Sequence, residues 1–172
     1  MRIIGPPSAS LDAVRAVLLQ DARVHPRFTA EMLDPLWEEA ELYGLDPVGV
    51  IAQSYKETAA GVYAGKVRPE FYNTAGIKIR HQTLFPGVTD GDNPLAHAMF
   101  PSWFVGARAH AQHLAAYAGL RLDDHEIVDP RFTYVVGRYA LENFEELGGG
   151  HWAPSPTYGV DLVAVARRLQ QV

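Results

Sequence analysis

Glu57 and Gln53 stand four residues apart near the end of a stretch, 46–57, whose pattern predicts a helix, so their side chains share one face. A carboxyl on the last helical turn meets the negative end of the helix dipole, and partial burial also opposes its ionisation. Both effects raise its pKa toward the range of a general acid working near neutrality. By spacing alone, such a glutamate is more often a solvated surface group. Tyr158 falls in the first turn of the last predicted helix, where its hydroxyl can point into a cleft. Trp152, in the loop before it, suits a sugar-stacking face or, equally, a loop anchor. His110 and His113 have the spacing of a metal pair, but no third ligand is placed by sequence, and a core or surface pair is the expectation. The polar turn 89–94, with Asp90 and Asp92, superficially resembles a calcium loop but lacks the ligand spacing and terminal Glu. No metal or cofactor is expected.

The elements that must position these groups are mostly helical. Ser8 or Ser10 caps a first helix reaching about Gln20, with Leu11, Val14, Val17 and Leu18 as its stripe. His25-Pro26 marks a turn. Thr29 opens a second helical stretch, restarted or kinked at Asp34-Pro35, whose apolar face is Leu36, Trp37, Ala40 and Tyr43. Asp46 and Pro47 then start the helix that ends on Glu57, which buries Val48, Ile51, Ala52 and Tyr55, with Gly61 as its C-cap. From 61 to 100 glycine and proline recur, periodicity fades, and short β-prone pieces appear at 76–80 and 83–85, as in a binding lobe. Ser102 caps a long helix rich in small residues that Gly119 stops. Asp129-Pro130 opens another, burying Phe132, Val135, Val136, Tyr139 and Leu141 and ending at Gly148. Ser155-Pro156 starts the last, with Val160, Val163, Ala166 and Leu169 inside.

The chain of 172 residues is 48% hydrophobic, enough for one domain spanning 1–172 around a sizeable core. A formal charge of -5 argues against nucleic acid as a partner, so an anionic polymer would be held by a shaped groove. Without cysteine, disulfides and thiolate metal sites are excluded. No apolar run reaches the length of a membrane span, so no membrane insertion is expected, and a monomer is. The first residues lack the basic and apolar regions of a signal peptide, which leaves a phage lysin, non-classical export or an excised domain.

Four motifs, in order, resemble glycoside hydrolase family 73, the peptidoglycan endo-β-N-acetylglucosaminidases. Ala52-Gln53-Ser54-Tyr55-Lys56-Glu57-Thr58 is similar to the family's Ala-Gln-(…)-Glu-Ser/Thr helix end, and Asn73-Thr74-Ala75-Gly76-Ile77-Lys78 to its Asn-Leu-Phe-Gly-Ile-Lys. Phe100-Pro101-Ser102-Trp103 resembles its Phe-x-x-Tyr/Trp, and Ala153-Pro154-Ser155-Pro156-Thr157-Tyr158 its Ala-Thr-Asp-Pro-x-Tyr. The resemblance, over about 46–169, implies a mainly α, lysozyme-like fold with the irregular or β lobe roofing a groove. It implies peptidoglycan glycan strands as the partner, at the bacterial cell wall, with Glu57 as general acid and Tyr158 on the site floor. Asn73, Gly76 and Lys78 match the segment that shapes the groove wall, and Gln53 belongs to the motif of the acid.

Two departures stand out. The tryptophan of the family's Gly-Trp-Gly is absent at Ala59-Ala60-Gly61, leaving Tyr63 or Trp152 to supply a subsite contact. No Glu lies between Glu70 and Glu126, so Asp92 or Asp90 must act as the second carboxylate, unless the substrate's N-acetyl group assists. A lytic transglycosylase or muramidase on the same fold, and a non-catalytic wall-binding module, are the alternatives.

Overall fold

The computed structural model describes residues 1–79, 96–123 and 127–171. Asp90, Asp92 and the β-prone piece at 83–85 lie outside the described residues. The protein is mainly α, with helices α1 (Leu11–Gln20), α2 (Leu33–Leu42), α3 (Pro47–Glu57), α4 (Trp103–Tyr117), α5 (Phe132–Val135) and α6 (Tyr158–Leu169). Strand pairing among the described residues is confined to isolated bridges.

α3 is the axis of the molecule. Asp46 caps it, accepting from the Val48 amide at 3.0 Å, and Pro47 occupies its first turn. The sequence predicts one buried face; instead Val48, Gly49, Val50, Ile51, Ala52, Gln53 and Ser54 are all buried. The reason is that α2 and α6 both pack on it, and the Phe144 ring takes a further side, lying 2.1 Å from where a Cβ on Gly49 would sit. Two long helices therefore hold the Glu57 end of α3 in place.

The approach to α2 follows from a proline. Residues Phe28–Met32 form a π-helical turn, in which the Leu33 amide donates to the Phe28 carbonyl, and α2 continues straight through Asp34-Pro35. The expected restart or kink at Pro35 becomes a wide turn just upstream, a usual way to fit a residue that lacks an N–H.

The exit from α3 is unusual. The C-cap is Thr58 rather than Gly61, and Ala59, Ala60 and Gly61 beyond it all have positive φ, at 49°, 56° and 83°. Tyr63 and Tyr72, with φ of 56° and 49°, repeat that conformation further along. Non-glycine residues there cost on the order of 1 kcal/mol each, and surrounding contacts must hold them. Thr58 Oγ1 accepts from the Gly61 amide at 3.0 Å, the Ala60 carbonyl accepts from the His25 amide at 2.9 Å, and the Arg27 guanidinium donates to the Gly61 carbonyl at 3.0 Å.

The lobe that follows has its own small core of Ala75, Ile77, Ile79, Ala96, Ala98 and Phe100, set against Ala109 of α4. Its two sides are joined by the Ile79 amide to the Ala96 carbonyl and the Ala98 amide to the Ile77 carbonyl, both 2.8 Å. α4 is capped by Ser102, whose Oγ accepts from the Val105 amide at 3.3 Å. Its small residues serve close approach: a Cβ on Gly106 would lie 1.7 Å from the Tyr72 carbonyl oxygen.

Two expectations are corrected near the C-terminal end. The helix opening at Asp129-Pro130 ends at Val135, because Val136 is extended and Gly137 turns with φ of 78°. The chain then runs extended, so Val136, Tyr139 and Leu141 are only half-buried, and a separate capped turn, Phe144–Leu147, precedes the glycines. α6 starts at Tyr158, three residues after Ser155, whose carbonyl closes a turn onto the Tyr158 amide. This puts Val160 outside at 59% exposure, with Leu162 joining Val163, Ala166 and Leu169 inside. Among the described residues, no helix is long and apolar enough to cross a membrane.

Candidate active site

Glu57, on the last residue of α3, faces the start of α6, where the Tyr158 hydroxyl donates to Glu57 Oε1. Its other oxygen, Oε2, lies 3.6 Å from the position a Cβ on Gly76 would take. Gly76 has φ of 62°, a backbone conformation that favours glycine, whereas a Cβ there would meet Oε2 only in ordinary contact. With Oε1 accepting from Tyr158, the acidic proton belongs on Oε2, the oxygen beside the Gly76–Lys78 edge.

Burial is the main influence on Glu57 and pushes its pKa up. The Tyr158 hydroxyl, the Trp152 indole and the Lys56 charge each pull the other way without cancelling it. Tyr158 is itself buried, and desolvation together with the Glu57 charge pushes its pKa far up, so it stays a hydrogen-bond donor.

Behind Tyr158 runs a chain of buried polar groups. Gln53 Nε2 donates to the Tyr158 oxygen at 3.2 Å, and Gln53 Oε1 lies 3.0 Å from His110 Nε2. An amide oxygen only accepts, so His110 Nε2 carries hydrogen. Burial pushes the His110 pKa down to about 3, with His113 adding to the effect, so the ring is neutral and Nδ1 is an acceptor. Thr74 Oγ1 lies 3.2 Å from Nδ1 and 3.4 Å from the Gly106 carbonyl, and its one hydrogen is shared between these two acceptors. Every bond in the series Thr74, His110, Gln53, Tyr158, Glu57 thus points the same way, toward the carboxyl.

Gln53 and Asn73 are both fully buried and touch the site from behind. Asn73 is a backbone clamp. Its Nδ2 donates to the Ile77 and Ala98 carbonyls at 2.8 and 3.0 Å, and its Oδ1 accepts from the Ala75 and Ile77 amides at 3.3 and 2.9 Å. It holds the groove wall through bonds from both side-chain heteroatoms to backbone groups, while the contacts of Gln53 go to Tyr158 and His110.

Lys78 and Gly76 line two adjoining cavities. One, of about 300 Å³, is bounded by Glu57, Tyr63 and His97; the other, of about 270 Å³, by Trp152, Tyr117 and Arg131. Together they make a groove on both sides of the Gly76–Lys78 edge. Tyr63 reaches this groove while its hydroxyl donates to the Asn73 carbonyl at 3.1 Å. Trp152 is half-buried against His113, Tyr117 and His110, with ring centroids 5.0, 5.6 and 5.8 Å away, so it both anchors its loop and lines the groove.

The structure therefore brings Glu57, Tyr158, Gln53, Gly76, Lys78, Asn73 and Trp152 together. Asp90 and Asp92 lie outside the described residues. Sequence reasoning missed the part of His110, which its spacing alone marked as core, and the partners of His113 and Arg131. His113 Nδ1 lies 2.7 Å from Asp129 Oδ2, and both His113 and Arg131 face the second cavity. Among the described residues, no group of three metal-ligating side chains is found.

Tyr158→Phe removes the donor on Oε1, a contact that lowers the Glu57 pKa. The expected result is a higher pKa for Glu57 in the variant, read from the carboxyl carbon shift in an NMR titration. An unchanged or lower value would break the assignment of Tyr158 as the principal donor.

No family model matches the sequence, and no solved structure matches it. The chain is similar to an uncharacterized protein of Borreliella burgdorferi, 30% identical over 132 residues, which cover 77% of this chain and 58% of that protein. It therefore spans little more than half the length of the relative it matches.

Proposed function

We propose that this chain cuts the glycan strands of peptidoglycan as an endo-β-N-acetylglucosaminidase, with Glu57 as general acid, acting at the bacterial cell wall. The observation that carries this reading is a single carboxyl whose pKa is raised by burial, held by the Tyr158 hydroxyl and the Trp152 indole, and bordering a groove. A glycosidic oxygen leaving the sugar needs a proton, and Glu57 Oε2 supplies it from the groove floor. The half-buried Trp152 gives the groove an aromatic face for a sugar ring. The four-motif resemblance converges on the same residues. Because Glu57 must be protonated to act, activity falls as pH rises through its raised pKa.

One observation favours a second reading. Among the described residues that line the two cavities, Glu57 is the only carboxylate. A lone acid suits a lytic transglycosylase, in which the substrate's own hydroxyl replaces water. It also suits a hydrolase assisted by the N-acetyl group.

The deciding experiment is digestion of purified peptidoglycan with identification of the new ends by mass. New N-acetylglucosamine reducing ends are expected. Muramic acid ends would move the cleaved bond, and anhydro-muramic ends would assign the transglycosylase. Binding without release of ends would make the chain a wall-recognition module and retire the catalytic reading.

A further inference from the structure

The cavity beyond Trp152 differs in charge from the protein around it. The chain carries a formal charge of -5, yet this pocket of about 270 Å³ is bordered by Lys78 and Arg131. Among the described residues, neither cation has an ion-pair partner. Other polar residues on the wall are occupied on their far sides. His113 directs Nδ1 to Asp129, whose second oxygen accepts from the Arg131 amide at 2.9 Å, so the carboxylate behind the wall is fully engaged. His151 directs Nδ1 to the Glu146 carbonyl at 2.7 Å. Each Nδ1 donates to an oxygen, so in the neutral rings Nε2 presents a lone pair and the anion-attracting groups on the wall are Lys78 and Arg131. The Tyr117 hydroxyl donates to the His151 carbonyl at 2.9 Å and fixes this side of the pocket. Trp152 supplies an apolar face.

Two cations without a carboxylate partner among the described residues, beside an indole in a pocket of this size, form a site for a small anionic group carried on an apolar or sugar frame. Both cations are half-buried, and an arriving carboxylate gains a charge-assisted contact from each of Lys78 and Arg131. We infer that this cavity is a carboxylate-binding subsite that seats an acidic substituent of the substrate next to the cleavage point. This rests on the proposed glycan-cleaving function and adds to it a charge requirement. On a peptidoglycan strand such a carboxylate has two sources: the lactyl ether of a muramyl residue without a stem, or the stem peptide where one is attached. The second cavity shares Gly76 and Lys78 with the one that holds Glu57, so occupant and scissile bond lie on neighbouring sugars.

The test measures binding without turnover, in Glu57→Gln, by following the Trp152 indole N–H signal during titration with three probes. N-acetylglucosamine is uncharged, N-acetylmuramic acid carries the lactyl carboxylate, and muramyl dipeptide has that carboxylate in an amide bond and presents the single free carboxylate of its isoglutamine. At least one acidic probe is expected to bind about tenfold or more tighter than N-acetylglucosamine, with the preference lost in Arg131→Met and weakened by salt. A preference for N-acetylmuramic acid assigns the lactyl source, and one for muramyl dipeptide assigns the stem. Equal binding of all three probes, or a preference that survives both Arg131→Met and Lys78→Met, would overturn the inference. Failure of the catalytic reading is distinguishable, since it appears as absent strand cleavage by the wild type, whatever the probes do.

Discussion

Glu57→Gln is expected to abolish strand cleavage and, in the same protein, to raise the melting temperature at neutral pH. Removing a general acid costs about 10²- to 10⁴-fold in rate, and glutamine has no proton to give. The stability effect follows from burial. The folded state raises the Glu57 pKa above its ordinary value, so the fold binds that proton more tightly than the unfolded chain does. Below the unfolded pKa, both states are protonated and the site is without penalty. As pH rises through the folded pKa, the buried carboxyl must ionise and the fold loses stability. Glutamine keeps an oxygen for the Tyr158 hydroxyl and never ionises. Melts at pH 4 and pH 7 should therefore show wild type and variant close together in acid and the variant higher at neutrality. A neutral-pH loss, or the same gain at both values, would contradict desolvation as the dominant influence. Retained cleavage would remove Glu57 as the acid.

The second large effect is on the lobe. Asn73→Ala deletes four hydrogen bonds to backbone groups at once, in a position with no exposure. Each buried backbone group left unpaired costs about 1–3 kcal/mol, and some recover water, so a loss of about 3–4 kcal/mol is expected in urea denaturation. Hydrogen exchange should localise it. The Ile77 amide, which bonds directly to Asn73 Oδ1, is expected to lose protection first, while amides within α3 and α4 keep theirs. Since Ile77 lies between Gly76 and Lys78, strand cleavage should fall together with local protection. A loss below about 1 kcal/mol, or one spread evenly over the helices, would show that Asn73 is not the clamp of the groove wall.

The parts of the fold written in local chemistry were legible from sequence. Asp46-Pro47 and Ser102 start helices where expected, because a cap is a contact between a residue and its near neighbours. Glu57, Tyr158 and the Gly76 segment were legible because each sits at a helix end or tight turn with its own composition. What sequence did not yield is set by contacts across long separations. α5 stops after one turn because Gly137 reverses and Leu141 is drawn to the Tyr117 carbonyl, a partner on α4. Val160 turns outward because α6 is rotated by the packing of Leu162 against the core. The part played by His110 depends on Gln53 and Thr74, which lie 57 and 36 residues away. No spacing on α4 alone could distinguish a core histidine from one that orients the Gln53 side chain behind Tyr158 and Glu57.

The one-way order of hydrogen bonds from Thr74 to Glu57 bears on how costly it is for the carboxyl to lose its proton. In water, a new negative charge forces solvent dipoles to turn toward it, and this reorganisation is a large part of the barrier to acid catalysis. Here the dipoles of Tyr158, Gln53 and His110 already point at the oxygen before the charge appears, fixed by groups buried behind them. Transfer of the Oε2 proton then changes the charge on the carboxyl without requiring any hydroxyl, amide or ring in the chain to turn. Reversing the chain would mean rotating the Thr74 hydroxyl, exchanging the His110 tautomer and flipping the Gln53 amide together, inside a packed core. The orientation established on folding is held by that packing, and in the proposed role of Glu57 the carboxylate left after proton transfer would meet an environment already polarised to receive it.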